Sequence, residues 1–187
     1  MASNISKQKL AFVDTETTGL SPEKHEIIQI GCVVVEQNLG MDGKQVYTII
    51  DEFELKLKPE HIETAEKTAL RINGYDEADW ALAYTQKEGM QLFSNKTKDA
   101  IMVGHNLPFD YGFIAKAFAV TGVENKMHYH KLDTISIAFA KSKKRDDIDR
   151  FSLYSLAKIF GIENKNAHTA LSDARATFEL FKKLMEL

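Results

Sequence analysis

Asp14 and Glu16 stand two residues apart at the end of the apolar run Leu10-Ala11-Phe12-Val13. If that run is a strand, alternate side chains share a face, and both acids point the same way as Leu10 and Phe12. Asp110 heads the row Asp110, Phe113, Ile114, Ala117, spaced i, i+3, i+4, i+7 as one stripe of a helix. Asp173 falls in the apolar arc of the last helical segment, between Leu180 and Leu184, with Arg175, Glu179, Lys182, Lys183 and Glu186 on the other side. Four acids on faces otherwise reserved for apolar residues are costly unless a cation sits among them. Oxygen ligands with almost no sulfur or clustered imidazole suit magnesium or manganese and disfavour structural zinc. Two such ions can clamp a phosphodiester, one activating water and the other stabilising the leaving oxygen.

Each acid also has a plainer reading. Asp173 suits the first turn of a helix, Asp110 suits a cap, and Asp14 and Glu16 suit a strand end emerging into solvent. All of these must hold together to dismiss the set. The attacking water needs a base, and His168, five residues before Asp173, is the candidate. On a continuous helix the two would stand about 140° apart, so His168 is placed on the loop ahead of the helix, where it can take a proton near neutral pH.

The chain has 187 residues, 44% of them hydrophobic, which suits one domain, 1–187, with a sizeable core. A net charge of −3 excludes a surface that attracts polyanions as a whole, so any nucleic-acid contact must be local. Cys32, the only cysteine, lies in an apolar run and offers neither a disulfide nor a cysteine zinc site, which points to a reducing, cytoplasmic setting. Four apolar residues before Asp14 are too few for a signal-peptide core, and no segment reaches membrane-spanning length, so no membrane partner is expected.

The elements that must position these residues follow from periodicity. Leu10–Glu16, Ile27–Val35 and the alternation Phe53, Leu55, Leu57 predict an antiparallel meander. Helices are expected over Thr64–Ile72 and about Glu77–Phe93, parted at Asn73-Gly74-Tyr75. Ala100–Val103 then reads as a strand, Phe109–Ala119 as a helix, Lys131–Asp133 as a strand and Thr134–Ala140 as a helix, an order that implies parallel pairing. Ser152–Phe160 and Thr169–Glu186 complete an α/β domain around a mixed sheet. Lys141–Arg145, followed by Asp146–Arg150, reads as a solvated loop outside the site.

Three segments, Phe12–Leu20, Gly104–Asp110 and His168–Ala174, together resemble the DEDDh, or DnaQ-like, exonuclease family, with its motif order and its His-x-x-x-x-Asp spacing. The resemblance covers nearly the whole chain. It implies a ribonuclease H-like α/β fold, a mixed five-stranded sheet with helices on both faces. Carried over residue by residue, it implies that Asp14, Glu16, Asp110 and Asp173 hold two divalent ions, Mg2+ or Mn2+, and that His168 is the general base. It also matches Thr15, Thr18, Leu20, His105, Asn106 and Phe109 to substrate-contact positions, with Leu20 wedged against the terminal base, and Asp133 to a structural position. The implied reaction removes nucleotides from 3′ ends and releases 5′-monophosphates. Ile72–Asp76 and Thr169 depart from common family patterns without removing a ligand, and leave the subfamily open.

The expected partner is nucleic acid with a free 3′ end, DNA ahead of RNA, with a DNA polymerase as a candidate associate in proofreading or repair. The alternatives are an exoribonuclease acting on short RNA, which needs a partner for the 2′-hydroxyl, and a non-catalytic accessory module, which a missing ligand would have favoured.

Overall fold

The computed structural model describes residues 5–142, 145–164 and 169–187. Five strands form one sheet: β1 (Leu10–Thr17), β2 (Ile27–Leu39), β3 (Gln45–Lys56), β4 (Ile101–Gly104) and β5 (Lys131–Asp133). Their order is β3-β2-β1-β4-β5. β1 pairs antiparallel with β2, and β2 with β3, while β1, β4 and β5 run parallel. The meander and the parallel half both match the expectation from periodicity.

Helices cover the two faces. They are α1 (Lys67–Ile72), α2 (Gln86–Lys96), α3 (Leu107–Thr121), α4 (Thr134–Lys141), α5 (Leu153–Phe160) and α6 (Ala170–Met185). Leu10 and Phe12 pack against α6, with Phe12 4.9 Å from the Phe178 ring and 5.3 Å from that of Phe181. Ala11 and Val13 join the opposite layer with Phe93 of α2 and Phe113 and Ile114 of α3. With both faces of β1 buried, its run reads as continuously apolar until the acids begin.

Three stretches differ from the periodicity. β2 and β3 extend beyond the apolar alternation as a hairpin pairing Glu36 with Thr48 through Leu39 with Gln45, where backbone bonds hold residues that bury little. The second expected helix starts at Gln86 instead of Glu77. Thr85 and Glu88 form a reciprocal cap there, and Trp80 pins the preceding turn by donating from Nε1 to the Ile28 carbonyl at 3.0 Å. The stretch expected as helix from Thr64 is divided, with a short turn at Ile62–Thr64 and extended backbone at Ala65 before α1. Among the described residues, no helix is long and apolar enough to cross a membrane.

What brings α6 close to the sheet is the missing side chain at Gly31. A Cβ built there would lie 2.1 Å from the Ala170 carbonyl carbon and the Leu171 nitrogen, backbone atoms that cannot swing aside. Gly31→Ala should therefore destabilise the fold by roughly 1–3 kcal/mol, the usual cost of forcing extra volume into a packed core. Urea unfolding measures it, and a variant as stable as the parent would contradict this close-packing role.

Candidate active site

Asp14 and Glu16 end β1 on the face covered by α6, and Asp173 lies in the first turns of α6. One carboxylate oxygen from each of these three lies within 4.8 Å of the others. Asp110 reaches the same end of β1 from α3. It is 3% exposed, and its Oδ1 accepts both the Thr15 N–H at 2.9 Å and the Thr15 hydroxyl at 2.8 Å. Asp110 therefore does not cap its helix. Because Thr15 points to the opposite face from Asp14 and Glu16, these bonds tie α3 to the strand that carries the other two acids.

Charge shows how close the acids are. Burial, and then the charges of Asp110, Asp173 and Glu16, push Asp14 well above the ordinary carboxyl range. Burial and the charges of Asp173 and Asp110 raise Glu16 to about 8. Burial raises Asp110 to about 7 even though the Thr15 bonds pull it down. A cluster that resists ionisation in isolation is one that a divalent cation would relieve, and its all-oxygen donor set fits magnesium or manganese. Asp173 also accepts from the Asn164 side-chain amide, whose own oxygen accepts the Ser172 hydroxyl at 2.7 Å. His168 lies outside the described residues.

The expected substrate-contact residues divide into two groups. Leu20 is 74% exposed on the loop after β1, and Asn106 is exposed at φ 64° with no side-chain cap to α3, so both stand at the surface, four residues from Glu16 and Asp110 respectively. Phe109 is half-buried with its ring 5.0 Å from Phe113. Thr15, Thr18 and His105 are turned inward as braces. Thr18 is fully buried, donating its backbone N–H to the Glu26 carbonyl and accepting the Glu26 N–H on Oγ1, both at 2.9 Å. His105 bridges Thr134 at 2.9 Å and the Phe151 carbonyl at 2.8 Å. Burial lowers its pKa, its Nε2–H donates to the Phe151 carbonyl, and Thr134 in turn donates its hydroxyl to the Gly104 carbonyl at 3.1 Å. Asp133 is structural, capping α4 through Ser136 and accepting the Leu107 N–H at 3.1 Å.

Sequence reasoning missed three supports. Gln29 is buried on β2 and its Oε1 accepts the Ala170 N–H at 3.1 Å, one of the otherwise orphan donors that open α6. Asn73 donates to the Thr17 carbonyl at 3.0 Å, and His25 accepts the Ser21 N–H at 3.0 Å beneath Gly19, bracing the loop that presents Leu20. The signal for Gln29 was present, since an amide inside an apolar strand needs a specific partner.

The RNase_T exonuclease family model matches residues 11–181, which is most of the chain. The chain belongs to this exonuclease family. Among curated relatives, it is 33% identical over 176 residues to a PolC-type DNA polymerase III of Caldanaerobacter subterraneus subsp. tengcongensis, covering 92% of this chain and 11% of that protein. It is 33% identical over 183 residues to the 3′-5′ exonuclease DinG of Staphylococcus aureus, covering 93% of this chain and 18% of that protein. The exonuclease chain thus spans less than a fifth of these relatives' lengths. E. coli exonuclease I in complex with a dT13 oligonucleotide shares its fold, with TM-score 0.73 and 18% identity over 95% of this chain and 41% of that one.

A carboxyl whose native pKa lies above its unfolded one binds protons in the native state, so stability is lost as pH rises from the ordinary carboxyl range through about 8. In EDTA the thermal midpoint should fall between about pH 5 and 8.5, and manganese should recover it most at the upper end, because ions bind the ionised acids. A midpoint in EDTA that rises across this window would contradict the cluster.

Proposed function

We propose that this chain is a metal-dependent 3′-5′ exonuclease that shortens single-stranded DNA and releases 5′-mononucleotides, acting as one exonuclease unit. The observation that carries this reading is the convergence of Asp14, Glu16 and Asp173 within 4.8 Å, with Asp110 locked beside them. The fold shared with an oligonucleotide-bound exonuclease I supports DNA as the substrate. The PolC-type relatives and DinG suggest work in proofreading or repair, with a polymerase as partner.

In this reading, Asp14, Glu16, Asp110 and Asp173 hold two divalent cations, which when bound supply Lewis acidity toward the attacking water and the leaving oxygen. Thr15 keeps Asp110 in place by giving it two hydrogen bonds. His168 takes a proton from the water as its oxygen attacks phosphorus. The bond from phosphorus to the 3′ oxygen breaks and that oxygen takes a proton from solvent, leaving a 3′-hydroxyl on the shortened strand and a 5′-phosphate on the released nucleotide. Leu20 and Asn106, exposed at the rim, meet the terminal nucleotide.

A 5′-labelled DNA oligonucleotide with magnesium should give a ladder of shortened products that disappears in EDTA and with Asp14→Ala. His168→Ala should lose roughly 100-fold or more in turnover, as when a positioned base is removed. Undiminished activity in Asp14→Ala would overturn the assignment, and faster digestion of a matched RNA strand would overturn DNA as the substrate.

A further inference from the structure

The segment Lys126-Met127-His128-Tyr129-His130-Lys131 interleaves cations with aromatic rings and contains no acid. It leads into β5, one of the two edge strands of the sheet. Its backbone is pinned, because Asp99 N–H donates to the Lys126 carbonyl at 2.9 Å and His128 N–H to the Ala100 carbonyl at 3.0 Å. Met127 packs against the core, while Tyr129, 76% exposed, and His130 face solvent.

Three rings cluster there, His128 stacked with Tyr129 and with His130, and Tyr129 tilted 36° to His130. Centroids lie 4.6 Å apart for His128 and Tyr129, 4.0 Å for Tyr129 and His130, and 4.9 Å for His128 and His130. A metal chelate does not fit this geometry. The two Nδ1 atoms are 3.3 Å apart, but the imidazoles are within 12° of parallel, so their lone pairs run alongside each other instead of converging. His128 Nδ1 also accepts the His130 N–H at 3.1 Å. A planar ring laid on the stack does fit, since aromatic faces accept any base. Among the described residues, neither flanking lysine pairs with a carboxylate: Lys126 donates to the Asn95 side chain at 2.8 Å, and Lys131 to the Tyr129 carbonyl at 3.0 Å. The Lys131 ammonium also lies over the Tyr111 ring, 4.1 Å from its centroid, and neither ammonium is neutralised by an acid among the described residues, so both complement phosphate. Beside the stack, a cavity of about 250 Å³ opens between Tyr111, Asn125 and Lys131.

We propose that this segment is a stacking subsite for single-stranded nucleic acid, holding a base upstream of the 3′ end whose terminal nucleotide sits among the acids. It rests on the exonuclease reading of the acid site. In the parallel register Phe12 is level with Val103 and Leu132, which puts Asp14 four residues beyond the level of His130, roughly 13 Å along the strands at about 3.3 Å per residue, and the rings lie on the α3 side of the sheet, across it from Asp14 and Glu16. β5 is two strands from β1 in the sheet, roughly another 10 Å at about 4.8 Å per spacing. A dinucleotide at the acids falls short of the stack, whereas a 12-mer reaches it.

Fluorescence anisotropy with a 5′-labelled thymidine 12-mer and a labelled thymidine dinucleotide, in EDTA to prevent cleavage, tests this. Tyr129→Ala should weaken 12-mer binding about tenfold, the scale of one lost base stack, and leave dinucleotide binding unchanged. Tyr129→Phe keeps the ring and should bind the 12-mer like the parent. Equal 12-mer binding by Tyr129→Ala and the parent, including no measurable binding by either, overturns the subsite, as does an equal loss for both lengths. Failure of the exonuclease reading would appear separately, as a bound 12-mer that stays full length once magnesium is added.

Discussion

Carboxylates held together against their mutual repulsion are the constraint on which the rest of this structure depends. Left to themselves these acids would move apart, and burial with mutual repulsion raises Asp14 and Glu16 above the ordinary carboxyl range. They stay together because each rides on an element whose position is decided elsewhere. β1 is gripped on both faces, α6 is seated on Gly31 and tethered by Gln29, and α3 is tied to β1 through Thr15 and Asp110. The energy that opposes the repulsion is apolar burial remote from the acids, such as the Phe12 contacts with Phe178 and Phe181. A bound cation then has little rearrangement left to drive.

Much of this was legible in the chain. The period of two that ends in Asp14 and Glu16, and the helical rows headed by Asp110 and Asp173, identified acids on core-facing stripes, and three of the four meet at one point. Asp110 differs in detail, since its burial and its bonds to Thr15 decide where it points, and such a contact between residues 95 apart has no local signature. The helix expected from Glu77 fails because Trp80 finds a partner on β2, a tertiary preference that overrides local periodicity. The long β2–β3 hairpin was unreadable for a different reason, because its outer half is held by backbone bonds and buries too little to leave an apolar pattern.

Motif neighbours proved to be of two kinds. Thr15, Thr18 and His105 spend their polar atoms inside the protein and act by holding loops and acids, whereas Leu20 and Asn106 face outward. A one-dimensional motif cannot separate them, since both kinds flank the acids at fixed spacing. The braced loop after β1, held by His25 and Asn73, explains how an exposed leucine can be presented at a defined position. At the β5 edge of the sheet, the exposed rings of Tyr129 and His130 stand two strands away from the acids of β1.

The most direct measurement is a crystal soaked in manganese and examined for anomalous scattering at the manganese edge. Peaks within coordination distance of Asp14, Glu16 and Asp173, one of them shared with Asp110, are the expected result. Manganese bound only at other surfaces, or no peak near these side chains at millimolar ion, would show that the acids gather for a reason other than holding cations.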